Sequence, residues 1–329
     1  MEASNARAAR PRIPTLSPAG FSRVTLFAVW ALALTVISGA AVRLTGSGLG
    51  CPNWPNCTAA SVAAPMHIHA WIEFGNRLIN AIVTVTSLGT VVAAWRRRPR
   101  RRDLTILSVG LVVGLVVEIV MGAVVVYSKL APGLVSVHFL LGMAFLALAV
   151  VLHHRAAIPD ESHQRRPVVG LVQIKLAQLM LVALAVVASL GTVVTSTGPH
   201  GGDPKAPRFH LSLHAVAQLH GTAVEVFLGI TLVNLWLLVR HGGPAGVVRE
   251  AQVMLAALAL QAVVGYTQYL DGDPVALVAV HVAGASVLVI AALRFYMSLW
   301  SYAPAASAVP STTAGALAVV AATPAGGGA

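Results

Sequence analysis

The sequence predicts an all-α integral membrane protein, with eight transmembrane helices arranged as two pseudo-symmetric four-helix bundles. Three observations carry that prediction. Of 329 residues, 57% are hydrophobic and 10% charged, and the mean hydropathy is +0.79. An average soluble domain is roughly 45–50% apolar and about 25% charged, so a soluble globular enzyme is excluded. Eight apolar runs approach the roughly 20 residues that a spanning helix needs. Lys and Arg number 22 against 11 Asp and Glu, a formal net charge of +11. The arginines fall in short clusters between apolar runs, where they report topology rather than nucleic-acid binding.

In chain order the helices are expected near 24–45, 69–95, 104–127, 133–152, 170–195, 211–239, 251–270 and 275–298. An even number puts both termini on one side. Arg7, Arg10, Arg12 and Arg23 precede or open the first run; Arg96 to Arg98 and Arg100 to Arg102 fill the second loop; Arg155, Arg165 and Arg166 lie in the fourth, Arg240 and Arg249 in the sixth. Short cytoplasmic loops collect Arg and Lys, so both termini are expected in the cytoplasm, with the chain in a bacterial plasma membrane. The opposite loops hold chiefly Arg43, Lys129, Lys205 and Arg208, beside Asp203, Asp271 and Asp273.

Glu2, the short length and the lack of a cleavable apolar core mark residues 1–23 as a cytoplasmic tail rather than a transit peptide. Residues 24–155 then form the first bundle, 156–169 a cytoplasmic linker and 170–298 the second bundle. Residues 299–329 read as a low-complexity cytoplasmic tail ending Gly326-Gly327-Gly328-Ala329, whose stretch 315–322 is too short to span.

A shift of 143 residues brings Leu134-Val135-Ser136-Val137-His138 onto Leu277-Val278-Ala279-Val280-His281, Glu118 onto Gln261 and Gly122 onto Gly265. At slightly different shifts His69-Ala70 resembles His214-Ala215 and Gly39 resembles Gly191. A repeat of four helices keeps its orientation, so the two copies stand side by side about an axis along the membrane normal.

Ionisable side chains within hydrocarbon are costly and mark functional paths. His138 and His281 fall five or six residues into helices 4 and 8, roughly 8–9 Å deep; His220 falls about 14 Å into helix 6, or level with the others if that helix starts near His214. His220 and His281, on two helices of one bundle, can face each other across a cavity and fill both axial positions of a haem iron. The competing reading of a lone intramembrane His is a hydrogen bond to a neighbouring helix. Zinc lacks an acidic or thiol ligand near that pair to complete a tetrahedral set. His153, His154, His163 and His241 read as solvated loop residues, and His67, His200 and His210 as residues at or beyond the outer interface.

On helix 2, Glu73, Asn76 and Arg77 share one face at spacings of three and four. They read either as a self-neutralising ion pair or, beside His138, as a carboxylate that moves protons or stabilises developing charge. Glu118 and Glu225 read as structural or proton-path residues away from the depth of the histidines. Cys51 and Cys57 flank Pro52-Asn53-Trp54-Pro55-Asn56 on the oxidising side, where a small disulfide-closed loop is the first expectation. A redox-active pair exchanging electrons with an outside thiol protein is the sharper alternative.

These features resemble the haem A synthase family over roughly residues 24–298. The resemblance rests on Thr45-Gly46-Ser47-Gly48-Leu49-Gly50-Cys51-Pro52-Asn53-Trp54-Pro55-Asn56-Cys57, on Glu73-Phe74-Gly75-Asn76-Arg77 beside that family's Glu-x-x-His-Arg motif, and on single histidines in helices 4, 6 and 8. It implies oxidation of the C8 methyl of haem O to a formyl group, through two hydroxylations and loss of water, giving haem A for terminal cytochrome oxidase. It further implies haem b on His220 and His281 in the second bundle, haem O on His138 in the first, and Glu73 as the carboxylate the chemistry requires. Asn76 and Arg77 would lie near the substrate haem. Implied partners are haem O and haem A, membrane lipid, the prenyltransferase that makes haem O, and the oxidase assembly machinery. Asn76 departs from the family's usual fourth histidine. His69 is about 10 Å away along the helix and His67 is on the opposite face, so His138 is expected to hold the substrate iron alone or with a weak sixth ligand. The rival readings are a di-haem b-type cytochrome relaying electrons from quinol, and a transporter that needs no haem.

Overall fold

The computed structural model describes residues 14–304. Arg7, Arg10, Arg12 and the low-complexity segment beyond 304 lie outside the described residues. Among these residues eight helices are long and apolar enough to cross a membrane: α1 (Pro18–Leu44), α2 (Ile68–Arg96), α3 (Arg102–Tyr127), α4 (Pro132–Ala157), α5 (Leu171–Thr197), α6 (Leu213–Arg240), α7 (Ala245–Leu270) and α8 (Val275–Ser298). The protein is therefore a multi-pass membrane protein. Outward apolar side chains such as Trp30 (68% exposed), Val85 (72%) and Leu270 (78%) would cost too much in water and suit hydrocarbon.

Three helices are longer than their apolar runs. α1 begins at Pro18 rather than 24, because Ser17 caps it, its hydroxyl accepting from the Gly20 N–H at 3.1 Å, and proline is pre-set for a first helical position. Likewise α7 starts at Ala245, directly after Pro244, and α4 runs through His153 and His154 to Ala157. Polar helical turns beyond the apolar stretch are invisible to a hydropathy reading.

Each set of four packs as a ring. In the first, α1 touches α2 and α4, and α3 touches the same two; in the second, α5 touches α6 and α8, and α7 touches the same two. α2 therefore faces α4 across a diagonal, and α6 faces α8. The rings meet where α8 packs on α1 and α4, and α5 on α4. The repeat is written in the backbone: α3 and α7 start at 102 and 245 and end at 127 and 270, each 143 apart. Both then make the same tight turn, with positive φ at Lys129 and Leu130 and at Gly272 and Asp273. Leu130 N–H bonds the Val125 carbonyl at 2.9 Å, as Asp273 N–H bonds that of Gln268 at 2.8 Å.

One apolar core, with Phe21, Leu32, Leu104, Leu111 and Leu146, fills the lower half of the first ring; Met180, Phe227, Met254, Leu258 and Phe295 fill the second. The arginine-rich end is tied together. Arg97, only 1% exposed, donates to Asp160 Oδ1 at 2.7 Å and lies over the Phe21 ring. Strand β1 (Ser162–Pro167), between the bundles, pairs antiparallel with β2 (Trp300–Pro304), after α8, and the Arg165 guanidinium stacks 3.9 Å over Trp300. At the opposite end Arg43 donates to the His200 carbonyl (2.8 Å), joining the loops of the two bundles.

Candidate functional site

Four positions stand at one level near the end opposite the arginines. His138 and His281 are the seventh residues of α4 and α8, His220 the eighth of α6 and Asn76 the ninth of α2, roughly 9–12 Å along each helix. With α6 starting at Leu213, His220 is level with the others. Each position has a glycine opposite it on the preceding helix. A Cβ on Gly191 would lie 3.2 Å from the His220 ring and one on Gly265 3.0 Å from the His281 ring; Gly122 approaches His138 at 3.8 Å and Gly39 approaches Asn76 at 4.0 Å. The sequence comparison aligned these glycines without giving them a task. They are flat floors against which the four side chains rest.

In the second bundle the His220 and His281 rings face each other across the diagonal, with centroids 6.5 Å apart and planes at 76°. Metal–imidazole bonds of about 2 Å on each side, plus about 1 Å from nitrogen to ring centre, put the centroids of two trans axial imidazoles about 6 Å apart. The pair fits the two axial positions of a haem. The Nδ1–H of His220 donates to the Val187 carbonyl at 3.1 Å, which leaves Nε2 with its lone pair free; Nδ1 of His281 is buried without a partner. Among the described residues no group of three or more His, Cys, Asp or Glu is placed to hold a metal ion.

The first bundle is built differently. His138 Nδ1 lies 2.9 Å from Glu118 Oε2. Glu118 was expected away from the depth of the histidines; it sits one turn before Gly122 on α3, and the α3–α4 crossing brings its carboxylate to the ring. Asn76 pairs with the Ser38 hydroxyl at 2.7 Å. An amide is a poor ligand for iron compared with an imidazole.

Glu73, 5% exposed, engages the disulfide loop rather than His138. Its Oε2 accepts the Cys51 N–H at 2.7 Å and its Oε1 accepts from Arg77 at 2.6 Å. Arg77 in turn donates to the carbonyls of Cys51, Asn53, Pro55 and Asn56. Cys51 and Cys57 are joined as a disulfide and fully buried. The two terminal nitrogens of one guanidinium thus reach four loop carbonyls and Glu73 and organise the loop over α2, where the sequence offered only an ion pair or a catalytic carboxylate.

Most of the other described histidines have structural partners. His153 and His154 are helical, not in a loop: His153 Nδ1 meets the Thr25 hydroxyl at 3.1 Å, and His154 packs against Tyr302. His241 caps α6, and His67 caps α2 by accepting from the Ala70 N–H. His69 meets Ser47 Oγ at 2.9 Å, and His200 Nε2 the Asp273 carbonyl at 2.7 Å. The side chain of His163 lies outside the described residues. Glu225 is exposed and reaches only Tyr266 Oη, 3.5 Å away.

The chain is similar to known proteins. The chain is 38% identical over 100 residues to a heme A synthase of Geobacillus thermodenitrificans, covering 30% of each chain. It is 31% identical over 120 residues to that of Lysinibacillus sphaericus (36% of this chain, 38% of the relative), and 30% identical over 152 residues to that of Shouchella clausii (45% and 49%). Each alignment spans less than half of the relative. The family model described as cytochrome oxidase assembly protein (COX15-CtaA) matches residues 22–70 and 61–293, reaching into all eight helices, and the chain belongs to that family.

Proposed function

We propose that this protein is a haem A synthase, oxidising the C8 methyl of haem O to a formyl group. The observation that carries the reading is the set of four level, glycine-floored positions on diagonal helices, three filled by histidine, in a chain of this family. The bundle of α5–α8 would hold a resident haem b on His220 and His281, which when bound supplies one-electron transfer. The bundle of α1–α4 would hold haem O on His138, with Asn76 leaving the other face open.

The chain's own residues orient and enclose. His138 sets the plane of the substrate, and Asn76, held by Ser38, offers the opposite face an amide in place of a ligand. Glu73 is the carboxylate on which the oxidation depends: a negative charge fixed by Arg77 and the Cys51 N–H at the rim of the first bundle. The loop over α2 excludes water above it, its disulfide acting as a staple or as a thiol-exchange point. Both termini lie in the cytoplasm of a bacterial cell whose plasma membrane holds the protein. Haem O passes in from its prenyltransferase and haem A passes out toward oxidase assembly.

Expression beside a haem O synthase in a host without haem A, followed by haem extraction and identification, tests this. Formyl haem is the expected product, with one haem b retained per chain and lost in His281→Ala. Recovery of haem b and unmodified haem O alone would overturn the assignment.

A further inference from the structure

The internal repeat supplies its own comparison for one buried acid. Glu118 and Gln261 occupy the same place, 143 residues apart, each one turn before the glycine that floors the following ligand position. Their side chains do different things. Glu118 brings its Oε2 to 2.9 Å from His138 Nδ1, a close charge contact that is not aligned as a hydrogen bond, and both that Nδ1 and the carboxylate's Oε1 are buried. Gln261 instead donates its amide to the main-chain carbonyl of His281 at 2.8 Å and leaves that ring's Nδ1 alone. His220 has only a main-chain carbonyl, that of Val187. Of the three level histidines, His138 is the one with a carboxylate at its rear nitrogen.

A carboxylate this close to Nδ1 favours the tautomer that keeps the proton on that nitrogen and points the Nε2 lone pair forward, and its charge makes Nε2 a stronger donor to a metal than a carbonyl or amide at the rear does. We infer that Glu118 is a positioning residue that acts through His138, making iron bound in the first bundle more electron-rich and lower in reduction potential than iron bound in the second. This rests on the reading of His138 as a haem ligand. It turns a pseudo-symmetric pair of sites into two with separate tasks: a carboxylate-backed single imidazole beside Asn76, and an opposed pair without such backing.

The test uses the full-length, haem-loaded protein. Spectroelectrochemical titration separates the two transitions, assigned with His281→Ala, and resonance Raman reads the ferrous iron–histidine stretch. Glu118→Gln is expected to move the first-bundle transition to more positive potential and to lower the stretching frequency, with the second-bundle transition unmoved. Glu118→Asp is expected to return both toward the wild-type values. The unmoved second-bundle spectrum also shows that the variants have folded. Both haems bound, with potential and stretch unchanged in Glu118→Gln, would overturn the inference while leaving the synthase reading intact. A wild-type protein whose spectrum does not respond to His138→Ala would overturn that reading instead.

Discussion

Gly265→Ala is the sharpest probe of the glycine floors. The added methyl would sit 3.0 Å from Cε1 of His281, whereas carbon atoms rest about 3.5–4.0 Å apart. The ring must therefore retreat by about 0.5–1 Å, or α7 and α8 must part. Overpacking of this kind costs about 1–3 kcal/mol, which becomes roughly five- to 150-fold weaker haem retention if the whole cost falls on the axial imidazole. Alanine meanwhile favours the helix by up to about 1 kcal/mol over glycine. Fold stability should scarcely change while haem is lost. Gly122→Ala is the control, since its methyl would meet the His138 ring at 3.8 Å, an ordinary contact. The assay is haem per chain by pyridine haemochrome after purification, with thermal unfolding measured in parallel. A Gly265→Ala protein holding its full complement of haem with an unaltered spectrum would refute the reasoning, as would equal damage from Gly122→Ala.

Asn76→His supplies a fourth imidazole: the first-bundle haem should become six-coordinate and low-spin and the yield of haem A should fall, whereas an unchanged spectrum would mean that position 76 never meets the iron. Arg77→Lys replaces a fork that reaches four carbonyls and Glu73 with a point charge. Loss of even one charged hydrogen bond costs about 1.5–3 kcal/mol, so amide exchange across residues 51–57 should accelerate by roughly tenfold or more; exchange at the wild-type rate would rule out the clamp. Arg97→Ala should destabilise the protein by roughly 1–3 kcal/mol, because it empties a buried site and removes the nearer of the two arginines on Asp160, leaving Arg101 at 3.7 Å; a melting temperature equal to wild type would contradict this.

Much of the architecture was legible because hydrocarbon imposes a simple code. Spanning length, arginine clusters and a four-helix repeat located the eight helices, and the level of His138, His220 and His281 followed from rise per residue. Less legible were contacts that depend on which way a helix is rotated. Glu118 read as a structural or proton-path residue away from the depth of the histidines, until the crossing of α3 and α4 brought it to His138. The Glu118–Gly122 spacing of one turn, matched by Gln261–Gly265, was the signal that could have placed it. Glu73 and Arg77 were seen as a pair on one face, but the loop carbonyls that Arg77 gathers lie 21 to 26 residues earlier, beyond any local pattern. Arg97 read only as one of the arginines that fill a cytoplasmic loop. Its burial depends on Asp160, supplied by a distant connection between the bundles.

The diagonal placement of the four glycine-floored positions has a consequence for how the protein is made. Each pair joins the second and fourth helices of its ring, α2 with α4 and α6 with α8, so neither cradle exists until the last member of its quartet has been inserted. Synthesis proceeds from the N-terminus and domains form in that order. The earlier cradle is therefore complete while the ribosome is still extending the later quartet.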